Sequence, residues 1–122
     1  MTKLLLIDDT PEILELLSFS LRDHSYEVVT SGFTPDVTEL LEEHHPHALV
    51  LDCTLYNMSE SLFDAVRGHA GYATLPVVII SDTPEKADAS LRGREAQHVL
   101  LIPKPFSGSQ VARALAELLH RA

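Results

Sequence analysis

The sequence predicts a doubly wound α/β domain, a parallel β-sheet with helices on both faces. Two observations carry that prediction. Short apolar runs alternate with longer amphipathic stretches along the whole chain, five of each. The runs are continuously apolar rather than alternating, which marks strands covered on both faces, as the strands of parallel sheets are.

The elements follow in order. Leu4–Ile7 reads as a buried strand. Pro11–His24 carries Ile13, Leu14, Leu16, Leu17 and Leu21, a broad helical stripe. Thr10 before it and Pro11 at its first position are helix-start chemistry. Tyr26–Thr30 is a short strand, and Thr34-Pro35 is expected to open a second helix reaching about His45. Ala48–Leu51 is a third strand, ending in Asp52. A helix from about Ser59 to Gly68 presents Leu62, Phe63 and Val66. Pro76–Ile80 is the most strand-like run and ends in Ser81. Thr83-Pro84 starts a fourth helix to about Gly93, and His98–Ile102 is the fifth strand. Ser107 or Ser109 caps a last helix carrying Val111, Leu115, Leu118 and Leu119. The triplet "DTP" occurs at Asp9–Pro11 and Asp82–Pro84, each time after a strand, which is shared turn chemistry rather than a repeat.

A chain of 122 residues suits one domain and can bury a core without covalent staples. Its 45% hydrophobic and 22% charged residues are ordinary for a globular protein. Cys53 is the single cysteine, so no intramolecular disulfide is possible, which fits a reducing compartment. The formal net charge is −9, and lysines and arginines stand singly without forming a basic stripe, which argues against direct nucleic-acid binding. Four apolar residues after Met-Thr-Lys are too few for a signal peptide, and no run approaches a membrane span. The expected setting is cytoplasmic, away from membranes.

Ligands of open α/β sheets bind beyond the carboxyl ends of the strands. There the sequence places Asp8 and Asp9 after strand one, Asp52 after strand three, Ser81 after strand four and Lys104 after strand five. Strand two ends in Val29-Thr30-Ser31, without charge. If that strand lies at an edge, the order 2-1-3-4-5 gathers all five residues into one crevice. Two carboxylates about 5 Å apart repel by roughly 3 kcal/mol at an effective dielectric near 20. A hard cation offsets that repulsion, and Mg²⁺ needs only one or two carboxylates beside water and phosphate oxygens. With the Ser81 hydroxyl and the Lys104 ammonium, the group is a phosphoryl-transfer set with a carboxylate as candidate nucleophile.

Four stretches in order, "LLLIDD", "ALVLD", "LPVVIIS" and "LIPKPF", make the chain resemble the receiver domain of two-component response regulators over essentially its full length, 1–122. The resemblance implies the flavodoxin-like, CheY-like (βα)5 fold with strand order 2-1-3-4-5. It implies that Asp52 accepts a phosphoryl group from a sensor histidine kinase or a histidine phosphotransfer protein. Asp9 would bind Mg²⁺ directly and Asp8 mostly through water, with Asp52 and the Thr54 backbone carbonyl as further metal ligands. Ser81 would hydrogen-bond the phosphoryl group and move toward it, and Lys104 would pair with another phosphoryl oxygen. The Lys104-Pro105 bond would be cis. Such a domain promotes its own phosphorylation but is no enzyme with a separate substrate. Its signal would pass through the fourth helix, fifth strand and fifth helix to a downstream protein target, as a monomer or weak homodimer.

Three features depart from the family pattern. Asp82 stands where a small residue usually follows the switch hydroxyl, and is expected to change the lifetime of the phosphoryl group. Leu101 replaces the usual Tyr or Phe, leaving no aromatic to follow the hydroxyl inward. Tyr56 and Glu60 occupy the family's Pro and Gly positions, so "CTLYNMSES" is expected to have its own conformation. Blander readings stand beside the sharp ones. Asp8 and Asp9 also suit a helix N-terminus, Asp52 a strand-end surface acid, Ser81 a turn and Lys104 a solvated side chain. His44–His47, "HHPH", suits a helix C-terminus better than a metal, Cys53 reads as a buried thiol rather than a redox sensor, and Met58 as packing. Two rivals remain: a receiver-fold interaction module acting without phosphorylation, and an aspartyl-phosphate phosphatase. The phosphatase would need a general acid and a substrate pocket that the sequence does not offer.

Overall fold

The computed structural model describes residues 1–121. Ten elements alternate strictly: β1 (Lys3–Asp8), α1 (Pro11–Asp23), β2 (Glu27–Ser31), α2 (Val37–His44), β3 (Ala48–Asp52), α3 (Tyr56–Arg67), β4 (Val77–Ser81), α4 (Pro84–Gly93), β5 (Val99–Pro103) and α5 (Gly108–Arg121). The strands form one parallel sheet in the order β2-β1-β3-β4-β5. This is the predicted α/β architecture, and it holds down to the strand order.

Successive strand residues face opposite sides of a sheet, and the core divides accordingly. Leu5, Ile7, Leu49, Leu51, Val77 and Ile79 pack with Val37, Leu41, Leu62, Phe63, Val66 and Leu91 of α2, α3 and α4. Leu4, Leu6, Val50, Val78, Ile80 and Ile102 pack with Leu17, Leu21, Val111, Leu115 and Leu118 of α1 and α5. Full burial of each such side chain contributes about 1.5–3 kcal/mol. That is why these runs form the sheet's interior despite two carboxylates at their ends. At Gly108, a Cβ would collide with the Ser20 side chain, so the absence of a side chain lets α5 start against α1.

Several boundaries move from their expected places. Thr34-Pro35 does not open α2; Thr34 Oγ1 accepts the Asp36 N–H at 3.1 Å in a turn, and the helix begins at Val37. His98 has a left-handed φ of 57° and therefore stands outside β5. The helix expected from about Ser59 begins at Tyr56, which is buried in the core, and Ser59 is buried inside the helix. Ser107, not Ser109, starts α5. Its Oγ accepts the Gln110 N–H at 3.2 Å while Gln110 Oε1 accepts the Ser107 N–H at 2.7 Å, a reciprocal capping box.

The amino end of the sheet is held by Arg67. Its guanidinium donates to the carbonyls of Tyr72 at 3.2 Å, Gln97 at 2.9 Å and His98 at 3.1 Å, and lies over the Phe63 ring, 4.8 Å from its centre. Among the described residues, no helix is long and apolar enough to cross a membrane.

Candidate functional site

The carboxyl ends of the strands carry the predicted polar residues, and three of them are the last residues of their strands: Asp8, Asp52 and Ser81. Parallel register sets Asp8 directly beside Asp52 on β1 and β3, and neighbouring strands lie about 4.8 Å apart. Both carboxylates are almost fully buried, at 2% and 1% exposure. Asp8 Oδ1 accepts the Thr10 N–H at 2.8 Å. Asp8 Oδ2 and both oxygens of Asp52 lack a hydrogen-bond donor among the described residues.

Lys104 reaches the same place from the end of β5. Its N–H donates to the Ser81 carbonyl at 2.8 Å, the Lys104-Pro105 bond is cis, and its Nζ stands 2.9 Å from Asp52 Oδ1. That contact is an ion pair between the Lys104 ammonium and the Asp52 carboxylate. The Ser81 hydroxyl accepts the Thr83 N–H at 3.0 Å and lies 3.2 Å from Thr83 Oγ1. Asp9 Oδ1 accepts both the N–H and the hydroxyl of Thr54, at 2.9 and 3.0 Å, tying the end of β1 to the loop after β3. The fold thus brings Asp8, Asp52 and Lys104 together, joins Lys104 to Ser81 by the backbone, and holds Asp9 against Thr54.

The electrostatics follow from burial. Desolvation pushes the Asp8 carboxyl up to about 7, opposed by the Thr10 N–H and helped by the charges of Asp52 and Asp9. Burial works to lower Lys104, but contact with Asp52 outweighs it, and Asp82 and Asp8 add to the net rise. Burial also holds the Cys53 thiol up at about 11, so it is a neutral packed side chain at neutral pH.

A divalent cation suits this donor set. Asp8 and Asp52 meet beside one ammonium, with Asp9 next in sequence, and buried oxygens of both facing carboxylates lack a hydrogen-bond donor among the described residues. Among the described residues, no three His, Cys, Asp or Glu side chains form a ready-made cage. Mg²⁺ does not require one, since it keeps several waters.

The response regulator receiver domain profile matches residues 4–116 of the chain. The chain belongs to that family. It is 30% identical over 121 residues to the transcriptional regulatory protein KdpE of Mycobacterium tuberculosis, covering 99% of this chain and 52% of KdpE. The receiver chain therefore spans about half the length of the curated relatives it matches. Among solved structures it is similar to the chemotaxis response regulator CheY4 of Vibrio cholerae, with a TM-score of 0.80, 23% identity, and 97% and 98% of the two chains covered. It is also similar to the receiver domain of sensor histidine kinase PA1611 of Pseudomonas aeruginosa, with a TM-score of 0.76, 18% identity and 98% of each chain covered. That structure has a magnesium ion coordinated in its active-site cleft. At these identities the structural likeness concerns the fold.

The receiver's unusual residues now have places. Asp82 is exposed beside the site, and its charge reaches Lys104. Leu101 is half-buried and packs on the α2–α4 side of the core. Glu60 faces α4: its Oε2 accepts the Ser90 hydroxyl at 2.6 Å and stands 3.3 Å from Arg94 Nη1. Arg94 also donates to both oxygens of Asp64, from Nε at 2.8 Å and Nη2 at 2.9 Å. This tie between α3 and α4 joins residues 30 apart in sequence and has no local motif. The histidines of "HHPH" disperse. His44 ends α2, His45 is its left-handed cap, and His47 Nδ1 accepts the Lys3 N–H at 2.9 Å.

Proposed function

We propose that this receiver domain is a phosphorylation switch in which Asp52 accepts a phosphoryl group from the phosphohistidine of a sensor kinase or phosphotransfer protein. One observation carries the reading. Asp52 is a buried carboxylate at the carboxyl end of its strand, paired with the Lys104 ammonium 2.9 Å away, and among the described residues its Oδ2 has no hydrogen-bond donor. A structural carboxylate that deep would have its lone pairs satisfied.

An Asp52 oxygen attacks phosphorus, the phosphorus–nitrogen bond of the donor breaks, and the imidazole leaves with the bonding pair, giving an acyl phosphate on Asp52. Lys104 moves from pairing the carboxylate to pairing a phosphoryl oxygen. The Ser81 hydroxyl donates to another. Asp8, Asp9, Asp52 and the Thr54 carbonyl are the residues that would hold Mg²⁺, which supplies positive charge against the acidic cluster and the phosphoryl oxygens. The whole chain, 1–122, acts as one receiver, works in the cytoplasm as a monomer or weak homodimer, and passes its state to a downstream protein.

Acetyl phosphate with Mg²⁺ should add one phosphoryl group by intact mass, lost in Asp52→Asn. Absence of the label from the wild-type chain, together with no spectral response to beryllofluoride, would favour the second reading, a receiver-fold interaction module that works unphosphorylated. Asp82 beside the site and Leu101 in place of an aromatic are the observations behind that alternative. Steady turnover of a phosphomonoester would point instead to a phosphatase.

A further inference from the structure

Thr83 opens α4. Its carbonyl accepts the Ala87 N–H at 3.0 Å, and Pro84 follows it as the first helical residue. A threonine in that position ordinarily turns its hydroxyl onto the N–H of the second or third helical residue, as Ser107 does for α5. Thr83 makes no such bond, and its φ of −123° and ψ of 64° lie away from the extended conformation of a capping residue. Its hydroxyl is spent on Ser81 instead, at 3.2 Å, and its N–H donates to the same oxygen. Thr10, before α1, also leaves its helix without a side-chain cap. Thr83 differs in that its hydroxyl contacts a residue of the phosphoryl site. Thr83 is exposed while Ser81 is only 3% exposed, so a surface hydroxyl reaches inward to a buried one.

The two arrangements exclude each other. The Thr83 hydroxyl cannot bond Ser81 and cap α4 at once, and turning the Ser81 hydroxyl toward a phosphoryl oxygen on Asp52 would draw it away from Thr83. The first turn of α4 meanwhile has N–H groups without helical acceptors, as every helix does. We propose that the Thr83 hydroxyl exchanges partners: in the resting domain it holds Ser81, and when Ser81 turns to the phosphoryl group it is released to cap α4. The proposal rests on Asp52 as acceptor and names the device that carries its state to α4. Thr83 is a positioning residue, and the route needs no aromatic at Leu101.

Amide hydrogen exchange at Glu85 and Lys86, the second and third residues of α4, tests it. In Ser81→Ala without any ligand, the freed hydroxyl should cap the helix and slow one of these amides about fivefold, the size of a typical cap. Adding Thr83→Val to that variant should abolish the slowing. In the wild-type chain, beryllofluoride with Mg²⁺ should slow the same amide, and in Thr83→Val it should not. An unchanged amide in folded Ser81→Ala, or in wild type with beryllofluoride bound, overturns the exchange. A wild-type chain that does not respond to beryllofluoride at all removes the acceptor reading of Asp52. The ligand-free Ser81→Ala arm still decides whether Thr83 changes partner.

Discussion

The two ends of the sheet are built from the same kinds of residue and treat them in opposite ways. At the amino end, the Arg67 guanidinium is half-buried and gives its protons to three backbone carbonyls while lying on Phe63. The Lys3 N–H there finds His47 Nδ1. At the carboxyl end, Asp8 and Asp52 are more deeply buried and face each other in register, and each leaves an oxygen without a donor among the described residues. Charge at one end is satisfied by the fold, whereas charge at the other waits for something the fold does not contain. The first arrangement serves stability. The second reduces stability.

Removing the satisfied charge should therefore do the most harm. Arg67→Met keeps the apolar stem and removes the charged donor shared by three carbonyls in the α3–β4 and α4–β5 connections. Charged hydrogen bonds contribute more than neutral ones, and although the Tyr72 and His98 carbonyls keep the N–H groups of Leu75 at 3.3 Å and Val77 at 2.9 Å, all three charged bonds and the stacking on Phe63 are lost. A loss of about 3 kcal/mol is expected, read as a lower urea midpoint at unchanged slope. A loss under about 1 kcal/mol would mean that the amino end is not stapled as the contacts suggest.

Removing the unsatisfied charge should do the reverse. Asp8→Asn keeps the oxygen that accepts the Thr10 N–H and deletes one of two facing carboxylates. Without metal, near pH 8, it should stabilise the domain by about 2 kcal/mol, part of the like-charge and burial penalty. The gain should also depend on pH with a definite sign. The folded Asp8 carboxyl sits at about 7 against an ordinary 3.8, chiefly because of burial. Between those values the unfolded chain has released a proton that the folded chain keeps, so rising pH favours unfolding. The metal-free wild type should lose stability relative to Asp8→Asn from about pH 4 to pH 7 and run parallel to it above that. A difference that is flat from pH 4 to pH 8 would deny the burial penalty.

The sequence revealed the carboxyl end better than the amino end, and for a physical reason. Asp8, Asp9, Asp52, Ser81 and Lys104 are polar residues that interrupt or end apolar strands, so each stands out locally, and the parallel topology brings strand ends together. Arg67 lies in the last turn of a helix, where a basic residue needs no explanation. Its partners are carbonyls of other loops, which no residue type betrays. The same holds for the tie of Glu60, Ser90, Asp64 and Arg94 across two helices. Boundaries failed where a local signal met a tertiary one. The helix expected from about Ser59 starts three residues earlier, at Tyr56, whose side chain is buried in the core, and Ser59 is buried within it.

Arg94 offers the sharpest refinement, because by inventory it rivals Arg67. It donates to both oxygens of Asp64 and to the Ser90 carbonyl, and it pairs with Glu60. If the number of contacts decided stability, Arg94→Ala and Arg67→Met would be equally damaging. Exposure says otherwise. Arg94 and Asp64 face solvent, with 33% and 52% of their side chains exposed, so water and salt weaken the pairing and can replace it in the variant. Arg94→Ala is expected to lose no more than about 1 kcal/mol. That loss should shrink in 1 M salt, where the screening length falls to about 3 Å. The Arg67→Met loss should persist there, since its acceptors are carbonyls rather than charges. Equal salt dependence of the two variants would erase the difference between hydrogen bonds to carbonyls and pairing between exposed charges.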